Sequence, residues 1–378
     1  MKAKKISLSN KIDNHLVLNA SFIDNLGLMH GKMGLSIYFF RIGQRLNNKI
    51  YSGYAEELID EIYNEIDESV SADFENGLAG IGWGVEYLIQ NGFVKADADE
   101  VLEDFDRLLI KEILHLGLLN GLIGFGAYLL KRIQSTRPDG ENIVARTNQQ
   151  FLIYVLEELD KRTQDIARVV KEPKISCHRE ENKEGANFDI TWDYAILIWF
   201  LTDLLTQNLF NVKIENFILR SLEPLKGKNN LPKSVGNRLM LAFSVINLFD
   251  TVENYHNGEV VHGTEFKGKL DEFKLVSEDL LKRINRENVL SEFSANKGSV
   301  RNGIPGIVWI YNQFYKITSN FQYKDEAKYW SRSDLFFKDV ENIISGCDLG
   351  RGKEQDMFGL LDGLAGIRLI SASFMTER

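Results

Sequence analysis

Asp73-Phe74-Glu75-Asn76-Gly77-Leu78-Ala79-Gly80-Ile81-Gly82-Trp83-Gly84-Val85-Glu86-Tyr87-Leu88 is the stretch on which the fold turns. Asn76 reads as a helix N-cap, whose amide oxygen can accept an orphan N–H of the first turn. Gly77 and Gly80 follow on one helix face, and Gly82 and Gly84 extend the small-residue surface. Each glycine costs roughly 1 kcal/mol of helix propensity relative to alanine, so four of them need a compensation. The expected one is close backbone approach to a neighbour, with Leu78, Ile81, Trp83, Val85 and Leu88 burying the helix nearly all round.

The pattern recurs. His30-Gly31-x-x-Gly34, Asn120-Gly121-x-x-Gly124, Asn302-Gly303-x-x-Gly306 and Asp362-Gly363-x-x-Gly366 each open an apolar run. Self-similarity of this kind marks a repeat architecture. The long gap between Gly121 and Gly303 leaves room for two worn units. The apolar stretches that begin around Asp193 and Gly236 fit there. Amphipathic stripes lie between the glycine motifs: Leu58, Ile59, Ile62, Tyr63 and Ile66 in 54–67; Leu102, Phe105, Leu108, Leu109, Ile113 and Leu116 in 101–116; Phe151, Leu152, Val155, Leu156 and Leu159 in the next. The order is amphipathic helix, glycine-opened helix, and again. It predicts an all-α fold of a single domain over 1–378, with about seven inner and seven outer helices closed into a double ring. Polar linkers are expected over 134–142, 171–186 and 345–355, and a hairpin-like excursion over 254–269.

Composition bounds the rest. Net charge is −9 over 378 residues, with acidic runs at 57–75 and 97–106, so nucleic acid is excluded as a natural partner and a basic peptide could be steered to that surface. No apolar run reaches the ~18 residues of a membrane span. Two cysteines, Cys177 and Cys347, make no disulfide framework, and the basic first residues lack a signal-peptide core. These features point to the cytoplasm.

With these motifs in place the chain resembles the lanthionine synthetase C family, the LanC-like thioether cyclases. The resemblance rests above all on Asp73-x-x-x-Gly77-Leu-Ala-Gly80-Ile and Asp362-Gly-Leu-Ala-Gly366-Ile. It implies an α/α toroid and, in the family, a zinc ion that activates a peptide cysteine for addition to a dehydroamino acid. It also implies that Asp73 matches the family's catalytic acid. The family's zinc-ligand positions hold Ser234, Arg301 and Asn302 here, and a family histidine is matched by Trp192. Zinc wants Cys, His or carboxylate ligands. The resemblance therefore implies a member without a metal cofactor, its partners a peptide substrate or a partner modification enzyme. Cys177-His178 is a second, displaced candidate for a zinc site.

The helix starts are expected to share a polar vestibule built from His30, Asn76, Asn120, Trp192, Arg301, Asn302 and Asp362, with Asp73 beside them as the catalytic candidate. His30 reads as a cap or a general base, kept neutral by the positive helix end. Asn76, Asn120, Asn302 and Asp362 read as caps before anything else. Three functions stay open: a zinc-independent peptide- or partner-binding protein, an active cyclase with a displaced zinc site, and a carboxylate enzyme of the glycoside hydrolase type drawing on Asp73, Glu75, Asp193 and Asp362.

Overall fold

The computed structural model describes residues 2–67, 69–112, 118–135, 143–163, 189–207, 209–226, 231–254, 264–282, 284–293, 299–301, 303–347 and 355–373. In chain order the α-helices are α1 (Lys2–Asn19), α2 (Lys32–Leu46), α3 (Lys49–Glu65), α4 (Leu78–Gln90), α5 (Ala98–Glu112), α6 (Gly124–Ser135), α7 (Ile143–Arg162), α8 (Asp189–Leu205) and α9 (Asn211–Leu222). They continue as α10 (Val235–Asn254), α11 (Thr264–Asp271), α12 (Lys274–Leu281), α13 (Arg286–Phe293), α14 (Ile304–Thr318), α15 (Phe321–Trp330), α16 (Asp334–Cys347) and α17 (Leu364–Ser373). The described residues contain no strand, as the all-α reading requires. None of the described helices is long and apolar enough to cross a membrane.

The chain divides into two compact units, Met1–Val155 with Asn296–Trp309 and Lys328–Arg378, and Leu156–Ala295 with Ile310–Ala327. In the first, α2 packs on α3 and α4, α4 on α5 and α6, and α17 on α1, α2 and α16. Helix α2 is buried continuously from Lys32 to Phe40, so its polar groups need partners. Lys32 Nζ finds Glu61 Oε2 at 3.0 Å and Glu65 Oε1 at 2.8 Å on α3. Between α4, α5 and α6, the fully buried Arg132 bonds Glu86, Asp99 and Asp106 at 2.8, 3.1 and 2.9 Å. Burial disfavours the Arg132 charge, and Tyr128 and Asp106 beside it outweigh that and raise its pKa. In the second unit α8 packs on α9 and α10, and α10 on α12 and α13. Arg238, 4% exposed, donates to the backbone oxygens of Leu280, Asp279 and Pro232, satisfying the carbonyl end of α12.

Four of the five repeat glycines share one cause, and it differs from the expected helix–helix contact; the fifth, Gly124, would meet the Phe74 side chain of the loop before α4. A Cβ on Gly34, Gly80, Gly306 or Gly366 would meet the carbonyl oxygen of Leu28, Phe74, Val300 or Leu360, at 2.1, 1.9, 2.0 and 1.8 Å. The carbonyl always belongs to the residue six positions earlier. The chain doubles back over the first turn of the helix it has just opened. Its carbonyls then accept from the orphan N–H groups: Lys32 N–H donates to Asn25 O at 2.9 Å, Leu78 N–H to Ser71 O at 2.8 Å and Gly366 N–H to Gly359 O at 3.3 Å. Only a glycine leaves room for a carbonyl that close. Gly82 and Gly84 do serve helix contacts, against Tyr128 of α6 and Met33 of α2.

The doubled-back loop also displaces the expected caps. The N-cap residues of α2 and α4 are Gly31 and Gly77, which have no side chain to offer, and backbone carbonyls fill the capping role. The amphipathic stripes are observed on α3, α5 and α7, where Leu58, Ile62, Leu102, Phe105, Leu109, Leu152, Val155, Leu156 and Leu159 are buried. Tyr63 is 42% exposed, Ile59, Ile66, Leu108 and Phe151 are half-buried, and Ile113 and Leu116 lie outside the described residues. The expected excursion over 254–269 is helical from Thr264 onward. Trp83, expected in the core, is half-buried.

Candidate functional site

Four helix-opening loops of the first unit are stitched together by their backbones. Met29 N–H donates to Glu75 O at 2.8 Å, and Met29 O accepts from Leu360 N–H at 2.8 Å and Leu361 N–H at 3.3 Å. Leu361 O in turn accepts from the N–H groups of Val300 and Arg301, at 3.0 and 3.2 Å. The residues just before α2, α4, α14 and α17 therefore meet, and with them His30, Asn76, Arg301 and Asp362.

The hydrogen-bond order at His30 follows from its neighbours. Gly27 N–H donates to Asn25 Oδ1 at 2.8 Å, which leaves the Asn25 amide nitrogen to donate to Asn76 Oδ1 at 2.7 Å. Asn76 Oδ1 is thus an acceptor, and His30 Nδ1 lies 3.1 Å from it. The other ring nitrogen lies 3.0 Å from Asp362 Oδ2. Both nitrogens face oxygen atoms, so the ring ties Asn76 to Asp362. His30 is 3% exposed.

Arg301 completes the cluster. Its Nη2 donates to Glu75 Oε1 at 2.9 Å and its Nε lies 3.4 Å from Asp362 Oδ2. Burial pushes the Asp362 carboxyl up, but the bond from His30, the Arg301 charge and a bond to Ser299 outweigh it and hold it below the usual range. Arg301 lies between Glu75 and Asp362. A cation and two carboxylates so arranged can be largely buried because each charge has a partner of opposite sign.

Asp73 plays a different part. Its Oδ1 accepts from Asn76 N–H at 2.7 Å and its Oδ2 from Ser71 Oγ at 2.5 Å. It fixes the loop that folds over α4 and stays half-buried. Among the described residues no cation lies within ion-pair distance of it. The structure thus brings together His30, Asn76, Arg301 and Asp362, with Asp73 on the same loop as Asn76. The side chains of Asn120 and Trp192, all of Asn302, and the Cys177-His178 pair lie outside the described residues. Asn25 and Ser299 belong to the cluster and carry no sequence signal, since neither stands in a glycine motif. Glu75 was visible only as one acid among several.

Of the residues that the resemblance matches to zinc ligands, Arg301 carries a guanidinium held by Glu75 and Asp362. In the second unit Ser234 Oγ accepts from Asn237 N–H at 3.2 Å, and Glu292 takes the N–H groups of Val235 and Gly236 at 2.6 and 3.1 Å. That serine is a helix cap with its neighbours' N–H groups already bonded. Among the described residues no group of three His, Cys, Asp or Glu side chains could hold a metal ion.

Residues 23–188 match the family model described as Lanthionine synthetase C-like protein. His30, Asp73 and Asn76 lie inside the matched span; Arg301 and Asp362 lie beyond it. A search of curated proteins found no match.

Proposed function

We propose, for a chain that over residues 23–188 belongs to the lanthionine synthetase C-like family, a zinc-independent role in lanthionine-type peptide modification, exercised by binding a peptide or the enzyme that modifies it. The observation that carries this reading is Arg301. By the resemblance it takes the place of a thiolate, and Glu75 and Asp362 hold its guanidinium. A fixed cation repels a divalent metal, and without a Lewis acid a peptide thiol keeps a pKa near ~8.5 and stays mostly protonated at neutral pH.

What remains is recognition. Arg301 is 17% exposed on its side chain and Asp362 27%, so the cluster has a polar rim. With Asp73 beside it, that rim can accept and donate hydrogen bonds to peptide amides. A guanidinium can also take a carboxylate in a two-pronged bond.

The test has two arms. Metal analysis of the purified protein, with and without added zinc, should find no stoichiometric zinc, and a dehydrated cysteine-containing peptide should gain no thioether rings. Fluorescence anisotropy should show that peptide binding, and Arg301→Ala should weaken it while Arg301→Lys retains part of it. About one zinc per chain together with ring formation would overturn the reading. Loss of both on Cys177→Ala or His178→Ala would establish the displaced zinc site instead.

A further inference from the structure

Helix α4 carries an aromatic ladder along its half-buried side. Phe74, in the loop before it, meets Trp83 edge-on at 6.2 Å between ring centroids, and Trp83 stacks on Tyr87 at 5.3 Å with 14° between planes. Arg41 of α2 continues the row, its guanidinium 5.2 Å from the Tyr87 ring and 5.4 Å from Phe93. Lys131 of α6 stands over the other side, 5.8 Å from Trp83 and 5.9 Å from Tyr87. All six side chains are half-buried, and all belong to the first unit.

The cations are the unusual part. Arg41 donates to the Tyr87 hydroxyl at 2.5 Å and to Asn91 Oδ1 at 3.2 Å, both neutral acceptors. Among the described residues no carboxylate lies within ion-pair distance of Arg41 or Lys131. Glu86, the nearest acid in sequence to Tyr87, is fully buried and bonded to Arg132. On a chain of net charge −9, two cations held on aromatic faces without counter-ions are a local reversal of sign. Burial pushes the Lys131 ammonium below its ordinary pKa, with Glu86 only partly offsetting it, so a ligand carboxylate would restore what burial takes away.

We propose that Phe74, Trp83, Tyr87 and Phe93, with Arg41 and Lys131 between them, form a docking stripe for an extended peptide segment in which carboxylates alternate with aromatic or other apolar residues. Ring faces take the apolar side chains and the cations take the carboxylates, each in a place already partly shielded from water. The 13 residues of α4 span ~20 Å at ~1.5 Å each, the length of about six extended residues at ~3.3 Å each. Interleaved rings and cations also suit single-stranded nucleic acid, but the overall negative charge opposes a polyphosphate, and an uncharged glycan would leave both cations uncompensated. The stripe begins at Phe74, between Asp73 and Glu75, so a peptide lying on it would run toward the Arg301 cluster. The proposal rests on the peptide-binding reading above and gives it a path and a preferred sequence chemistry.

The experiment uses the full chain and a fluorescein-labelled hexapeptide alternating Glu and Phe. Its controls are the Lys/Phe counterpart, a labelled single-stranded oligonucleotide and a labelled oligosaccharide. The acidic peptide should bind, and at least tenfold tighter than the basic one. Lys131→Gln should weaken it about fivefold, and Trp83→Ala and Lys131→Glu by about tenfold or more, while Trp83→Phe keeps most of the affinity and melting temperatures confirm folding. Equal affinity for the two peptides, tighter binding of the oligonucleotide or oligosaccharide, or Lys131→Glu without effect would overturn the stripe. If Arg301→Ala weakens peptide binding and Lys131→Glu does not, the stripe falls and the Arg301 reading stands. If no peptide of either charge binds, both fall.

Discussion

Replacing Gly80 by alanine should destabilise the first unit, although the same change elsewhere in it should do the opposite. The added Cβ would lie 1.9 Å from Phe74 O and 2.9 Å from Leu28 Cβ, where ordinary heavy-atom contacts need about 3.5 Å. The loop before α4 would have to lift, straining the Leu78 N–H bond to Ser71 O and the Met29 N–H bond to Glu75 O. Overpacking costs ~1–3 kcal/mol and a weakened backbone hydrogen bond ~1 kcal/mol, against ~1 kcal/mol gained in helix propensity. The net is about 2 kcal/mol of destabilisation. Gly53, in α3, has nothing within 4 Å of its Cβ position, so Gly53→Ala should keep the ~1 kcal/mol propensity gain. At ~2–3 kcal/mol per molar urea, the unfolding midpoint followed by far-ultraviolet circular dichroism should fall by about 0.7–1 M for Gly80→Ala and rise by about 0.3–0.5 M for Gly53→Ala. Shifts of the same sign would refute the doubled-back loop as the reason for the repeat.

Arg301→Ala strands Glu75 and Asp362 without their shared cation. It should cost about 2–3 kcal/mol, below the ~3–5 kcal/mol of a fully buried pair, and Glu75→Gln on top should recover part of it; additive losses in the double-mutant cycle would contradict a shared interaction. Asp362 has a depressed folded pKa, so its contribution is present above the unfolded carboxyl value and disappears as pH falls through the folded one. Melting curves of Asp362→Asn and the parent should therefore separate at pH 7 and draw together as pH falls below the unfolded carboxyl range. Burial pushes the carboxyl of Asp203, in α8, up to about 7, and a bond from Trp199 only partly offsets it. The folded state then binds the extra proton between the unfolded carboxyl value and about 7, so this residue removes stability as pH rises through that window. Asp203→Asn should flatten the slope and raise the melting temperature at pH 8, and an unchanged pH profile would count against the burial.

The repeat was legible because glycine pairs at fixed spacing before an apolar run survive in the sequence however the chain later packs. Their cause was not, since glycines facing a helix and glycines facing their own preceding loop look alike in one dimension. The caps were misread for the same reason. Asn76, His30 and Asp362 stand where caps stand, but the backbone carbonyls arrive first and free those side chains to bond one another. Trp83 looked like core because its neighbours are, and the half-buried side of α4 shows only once α6 and α2 are placed. His30, Asn76, Arg301 and Asp362 were legible as polar residues at helix starts. Their pairing was not: Glu75 and Arg301 are 226 positions apart, and nothing local tells either which partner it will have.

The first unit is closed by its most distant parts. Asp13 of α1 takes the Tyr38 hydroxyl at 2.5 Å and the Arg368 Nε at 2.7 Å, the latter 355 positions along the chain, and His30 waits for Asp362 across 332. A ribosome adding ~5–20 residues per second makes Arg368 roughly 20–70 s after Asp13. Throughout that interval α1 and α2 exist without the helix that covers them. Contacts of such separation also form slowly once the chain is free. The newly made protein therefore spends about a minute as a half-built unit with apolar helix faces and a lone carboxylate in water. Its yield in the cell should depend on whatever shelters nascent chains more than on the stability of the finished fold.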